Sequence, residues 1–371
     1  MGIIDPKSDL QEQHAGDNST QVIIKEVNFA GITESQARDI CKAECAIAIQ
    51  NWAFQAGMIS EARIQKLEDK VIPKMLEHDK QLTIFGDPSF QILLRKAQIS
   101  AASTERESDY DVLADLLLHR AEQNDNRERR LGISKAIEIV DQLDEKALIG
   151  LSMVFAVAKF RPIAEDLETG LKILNDFYTK IINDTELPIG ESWLEHLDLL
   201  SAIRIVPKGF SSFKKIEDFI PSQLNSFFQC GLKNDSEELK AIKEDFNRLH
   251  IPTTCFKPHP LKTDHTILQV SNNINNIIIT QSSEGKITSW TPLSPDQKEI
   301  VQKAVNLMKK IDIKDQEMLS AFWIKWNSFD KLKKIHFWWN SLPTYFVITP
   351  IGQALANAYI HGKDSRAPYL I

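Results

Sequence analysis

From about Ser60 to Glu186 the apolar residues recur at intervals of three and four, segment after segment, which is the period of an α-helix. In "DYDVLADLLLHRA", Tyr110, Leu113, Ala114, Leu117, Leu118 and Ala121 make one continuous helical face. "GDPSFQILLRKAQ" offers Asp87 as a helix cap and Pro88 at the first helical position, where a missing N–H does no harm. "DEKALIGLSMVFAVAKF" opens with acids suited to the positive end of a helix and then turns almost wholly apolar, which predicts a helix buried on most sides. "SEARIQKLEDKVIPKML" is amphipathic, and Pro73 is expected to bend or end it. No repeat of fixed period emerges, so a regular solenoid is not expected.

Outside this stretch the pattern changes. Residues 1–19 are polar and are expected to form a disordered tail. "QVIIKEVNF" reads as a short strand that pairs across a subunit interface or with the distant β segment at 267–290. Thr33 and Gln36 form a capping box, and Ala37, Cys41, Cys45, Ala48 and Trp52 then share one face, read as a core face. After Pro188 come aromatic pieces, the charged helix "SEELKAIKEDFNRL", and the short strands "TILQV", "NIIIT" and "KITSW". Helices return at "SPDQKEIVQKAVNLMK" and "DQEMLSAFWIKWNSF", and the strand "YFVIT" feeds a last helix capped by Thr349 with Pro350 in its first turn. The expected organisation is a helical domain at 20–187 with a short N-terminal strand, a mixed α/β region at 188–291, and a helical unit at 292–371. The fold class is mainly α: a multi-helix bundle-like N-terminal unit, a small β insertion, and a winged-helix-like C-terminal unit.

With 371 residues, 43% hydrophobic and 26% charged, the chain has the make-up of a globular protein with more than one packed unit. No apolar run approaches the roughly 18–20 residues that span a bilayer, and no secretory signal or myristoylation pattern opens the chain. The expected location is the cytoplasm, with the four cysteines reduced. Net charge is −7, yet residues 292–371 hold eleven Lys/Arg against seven Asp/Glu. That asymmetry keeps nucleic acid in play for this segment alone.

Candidate chemistry is sparse. His250, Cys255, His259 and His265, with Asp264, are zinc-ligand types within reach of one ion, but they are scattered through a Pro-rich loop rather than set in close couples. The preferred reading there is a surface loop and no metal. Asp111, Asp115 and His119 fall at i, i+4 and i+8, so they share a helix face and could hold a divalent ion or act as acid and base. They lie opposite the leucine face and read as a solvated stripe. Cys41 and Cys45 read as small core residues with no base spaced to activate them. Lys331, Lys333 and Lys334 interleave with aromatics as a single-strand surface would, although Phe322, Trp323, Trp326 and Phe329 have core spacing. There is no GxGxxG, Walker-type, GxSxG or HExxH motif, so no catalytic residue and no cofactor is expected.

"GITESQARDI", "GDPSFQILLRKAQ", "DVLADLLLHRAEQNDNRERRLGISKAIEIV", "ALIGLSMVFAV" and "FVITPIGQALANA" resemble, in order and character, an uncharacterised bacterial family of mostly helical proteins labelled only by locus tags. The resemblance runs from Gly31 over most of the chain and rests on helix caps and core positions. His119 departs from it, standing where an acid is usual. It implies a soluble bacterial protein from mobile and phage-defence neighbourhoods. The expected function is a non-enzymatic interaction component, a sensor, adaptor or regulatory subunit with a protein partner or further copies of itself. A nucleic-acid-binding regulator is the first alternative, and an enzyme with a dispersed site the second.

Overall fold

A computed structural model describes residues 34–122, 126–164, 166–207, 209, 213–271, 273–283 and 286–370. The expected tail, the strand "QVIIKEVNF" and Thr33 of the expected capping box lie outside them. The described residues are mainly α-helical with small β insertions. The chain divides into two compact units, Met1–Met58 and Ile59–Ile371.

Helix α1 (Glu34–His78) runs through that division. Pro73 does not end it, because Leu67, Val71 and Met75 continue one buried face across the proline for another turn. Helix α2 (Pro88–Ser103) starts as its residues dictate: the Asp87 carboxylate accepts from the Phe90 N–H at 2.9 Å, with Pro88 at the first position. Helices α3 (Glu107–Glu122) and α4 (Arg127–Ile139) pack on it. Helix α5 (Glu145–Lys159) is capped by Asp144, and every residue from Ala147 to Val157 is buried, as its unbroken apolar run requires. Helices α6 (Leu167–Ile182) and α7 (Ser192–Leu199) pack against it.

After strand β1 (Ile203–Ile205) and helix α8 (Ile216–Gln223), a second and smaller core begins. It gathers strand β2 (Leu232–Lys233), helix α9 (Glu237–Arg248), and strands β3 (Phe256–Pro258) and β4 (His265–Leu268). The three strands form an antiparallel sheet in the order β2-β4-β3. Strands β5 (Ile278–Ser283) and β6 (Lys286–Pro292) form a hairpin, and helix α10 (Pro295–Met308) follows behind a Ser294/Gln297 capping box. Leu239, Ile242 and Phe246 of α9 meet Leu268, Val301, Ala304 and Met308 in this core.

Helices α11 (Gln316–Asn327) and α12 (Asp330–Asn340) return to the larger core, where Phe322 and Trp326 are fully buried. Strand β7 (Phe346–Ile348) pairs antiparallel with β1, Ile348 opposite Ile203, so the expected wing closes against a strand more than a hundred residues earlier in the chain. Helix α13 (Pro350–Lys363) then enters between α3, α4 and α5. Its buried Leu355 and Tyr359 belong to the larger core, which also holds Trp326 of α11. The apolar stretch of α5 from Ala147 to Val157 is buried throughout and needs neighbours around it, of which α13 is one.

Candidate functional site

Helix α3 carries acids at Glu107, Asp111 and Asp115, and the second half of α1 carries Lys66, Lys70 and Lys74 at the same four-residue spacing. The two series meet rung by rung: Lys66 with Glu107 at 3.1 Å, Lys70 with Asp111 at 2.7 Å, Lys74 with Asp115 at 2.8 Å. The outer rungs are solvated, but the last is not. Asp115 and His119, expected on a solvated stripe, are buried at 0% and 1% exposure. That expectation is corrected by α13, which covers the polar side of α3 from far along the chain.

Asp115 is the centre of a polar cluster. Its Oδ1 is ion-paired with Lys74 Nζ at 2.8 Å and accepts from His361 Nδ1 at 2.9 Å and the Tyr369 hydroxyl at 3.2 Å, whereas Oδ2 has no hydrogen-bond partner. Since a carboxylate only accepts, His361 carries its proton on Nδ1, and the Tyr369 hydroxyl donates to Asp115 rather than to the imidazole 3.0 Å away. The Tyr369 ring lies between two imidazoles, 4.6 Å from His119 and 4.4 Å from His361. Burial, followed by the nearby Asp115 charge, pushes the Tyr369 hydroxyl far above its ordinary pKa. Burial, reinforced by Arg129 and His361, lowers His119 to about 4, so His119 is neutral near pH 7, and its Nε2 has no partner. Gly362 allows α13 to come this close: a Cβ there would lie 3.1 Å from Asp115 Oδ2.

Asp115 and His119 are fully buried in this cluster, whereas Lys74, His361 and Tyr369 are partly exposed. The Tyr369 ring separates the two imidazoles, and among the described residues no group of three or more His, Cys, Asp or Glu is placed to hold a metal ion. Lys74, His361 and Tyr369 were not singled out from the sequence. The matched lysine and acid series, each pair 41 residues apart, was the one signal available for the first of them.

The loop from His250 to His265 brings His259 and His265 together, their rings edge to face at 6.2 Å. His259 is buried with both ring nitrogens engaged: Nε2 donates to the Gln229 carbonyl at 2.7 Å, and Nδ1 accepts from the N–H groups of Leu261 and Lys262 at 2.9 and 3.0 Å. Burial lowers its pKa, so it serves as a neutral bracket between β2 and β4 surroundings. The Cys255 thiol donates to the Pro252 carbonyl, and burial raises its pKa, the opposite of an activated thiol. His265 faces Asp264 at 2.7 Å, and His250 is exposed in a left-handed turn.

Of the three lysines on α12, Lys331 pairs with Asp184 at 3.2 Å, while Lys333 and Lys334 are exposed. Lys334 and the exposed Phe337 edge a groove of about 820 Å³ floored by Trp193 and Trp338, with Asp144, Glu186 and Lys146 on its rim. The groove is therefore apolar inside and charge-balanced outside. The core face expected for Cys41, Cys45 and Trp52 is corrected: all three are exposed. So are Ile40, Ile47, Ile49, Phe54 and Met58 of the same helix, each by half or more. Among the described residues of α1, burial begins only at Leu67.

No helix of the described residues is long and apolar enough to cross a membrane. Comparison with curated proteins returns no match, and comparison with solved structures returns none either. A family model whose description reads ":-like" matches residues 31–369, a range that takes in every described helix and strand. The chain belongs to the family that this model defines.

Proposed function

We propose that the protein acts through protein contacts in the bacterial cytoplasm, as a sensor, adaptor or regulatory subunit of a defence or stress system, and that residues 34–58 are its docking element. One observation supports the reading most. Ile40, Ile47, Ile49, Trp52, Phe54 and Met58 are each between 50% and 70% exposed on one helix. Large apolar side chains gathered in this way mark a surface that another protein covers. The placement in defence rests on the family resemblance of the sequence. An affinity-tagged chain tests the contact reading directly. Captured proteins are quantified by mass spectrometry from phage-infected and uninfected cells, for the wild type and for a Trp52→Glu, Phe54→Glu variant. Loss of specific partners in the variant is expected; identical captured sets would overturn the reading.

Nucleic acid is the alternative partner. Exposed Lys333 and Lys334 beside the exposed ring of Phe337 are the observation in its favour.

A further inference from the structure

We infer that the docking element of residues 34–58 is covered by further copies of this chain, and that the assembly holds at least three copies. This rests on the reading of that helix as a docking element and specifies its occupant. At 100° per residue, Ile40, Ile47, Phe54 and Met58 fall on one stripe, and Cys41, Cys45, Ile49 and Trp52 on another, roughly 150° around the helix. All eight are exposed. A helix that is apolar on two opposed sides needs a neighbour on each side. One partner helix covers one stripe only, which excludes a simple pair.

Two properties of the helix fit copies of itself. Its charges are Glu34, Arg38, Asp39, Lys42 and Glu44, nearly balanced and confined to the first eleven residues of α1, and none follows until Glu61. Copies can therefore lie side by side without like-charge repulsion, and there is no charge pattern that would select a partner of opposite sign. The six large side chains leave roughly 700 Å² per chain exposed, shared between two neighbours at roughly 350 Å² each. Repeats at seven residues, Ile40 to Ile47 to Phe54, are the spacing by which helices of a bundle keep one seam in contact over several turns.

The test is the molar mass of the purified full chain by light scattering, over a hundredfold range of concentration and under reducing conditions. A mass of three or more chains is expected for the wild type. A Trp52→Glu, Phe54→Glu variant should run as a monomer while keeping the wild-type melting temperature of the larger unit, because neither side chain is buried. An Ile163→Glu variant, changing a residue 97% exposed elsewhere, should assemble like the wild type. A wild type that is a monomer or dimer throughout overturns the inference, as does a double variant that still assembles. The two readings fail separately: a monomeric wild type that loses captured proteins on the same substitutions refutes the copies and leaves the docking element standing.

Discussion

Burial comes first in deciding the chemistry of His119, followed by Arg129 nearby and His361, while the ring of Tyr369 stacks on it. Its folded pKa of about 4 lies below the 6.5 of a free imidazole. Below pH 6.5 the unfolded chain therefore takes up a proton that the folded chain refuses. Stability is whole above that pH and is lost progressively as pH falls from 6.5 toward 4. For a side chain this buried the total is on the order of 3 kcal/mol. Urea unfolding at several values between pH 7.5 and 4.5 should show the wild type losing more stability than His119→Phe, which keeps the stacking and removes the titration. Parallel profiles would show that His119 is protonated in the folded protein. The stripe of Asp111, Asp115 and His119 was legible as a stripe, yet the burial of Asp115 and His119 was not. Helical spacing says which residues share a face, and says nothing about what will cover it.

At the scale of elements, caps and periodicity transferred well from sequence to structure. Asp87 and Thr349, read as caps from the sequence, each accept from a backbone N–H of the helix that they open, and Asp144, Ser236 and Ser294, not named as caps there, do the same. These are local bonds, closed within three residues, so nothing distant could override them. Of the two outcomes expected at Pro73, ending the helix does not occur, because the proline removes one hydrogen bond while the buried face of α1 continues past it. The seating of α13 is a different matter. Thr349 donates to the Ser201 carbonyl at 2.7 Å, its N–H donates to Ala202 at 3.0 Å, and a Cβ on Gly352 would lie 2.0 Å from the Ala202 carbonyl oxygen. Gly352→Ala must push α13 away from β1, and a loss of about 3 kcal/mol is expected in urea unfolding. Gly57→Ala, with nothing within 4 Å of the added methyl, should be neutral or slightly stabilising in the same measurement.

At the scale of the molecule, the last helix holds the first ones together. Leu355 is fully buried in the core shared with α3, α4 and α5, so Leu355→Asp should abolish the cooperative thermal transition of the larger unit as a whole. Lys331, Lys333 and Lys334 are on the surface of α12, and changing all three to Glu should leave that transition in place. The same triple variant decides the nucleic-acid alternative. Phosphate contacts would give duplex binding a log–log salt slope near −0.9 per contact, reduced in the variant. With Lys331 already paired to Asp184 and the chain acidic overall, no submicromolar, salt-sensitive binding is expected.

The sequence by itself determined the helical class, the helix starts and the apolar faces, because each follows from neighbours within a turn or two of chain. It also marked the acidic stripe of α3 and the apolar face of residues 37–52. Only the tertiary structure decided what becomes of each. Asp115 and His119, at the end of the stripe, are buried because α13, some 240 residues later, brings His361 to Asp115 and the segment beyond it brings Tyr369. Among the described residues the apolar face stays exposed, since the buried side of α1 begins only at Leu67. Burial is a property of which distant elements arrive, and period and composition carry no record of that.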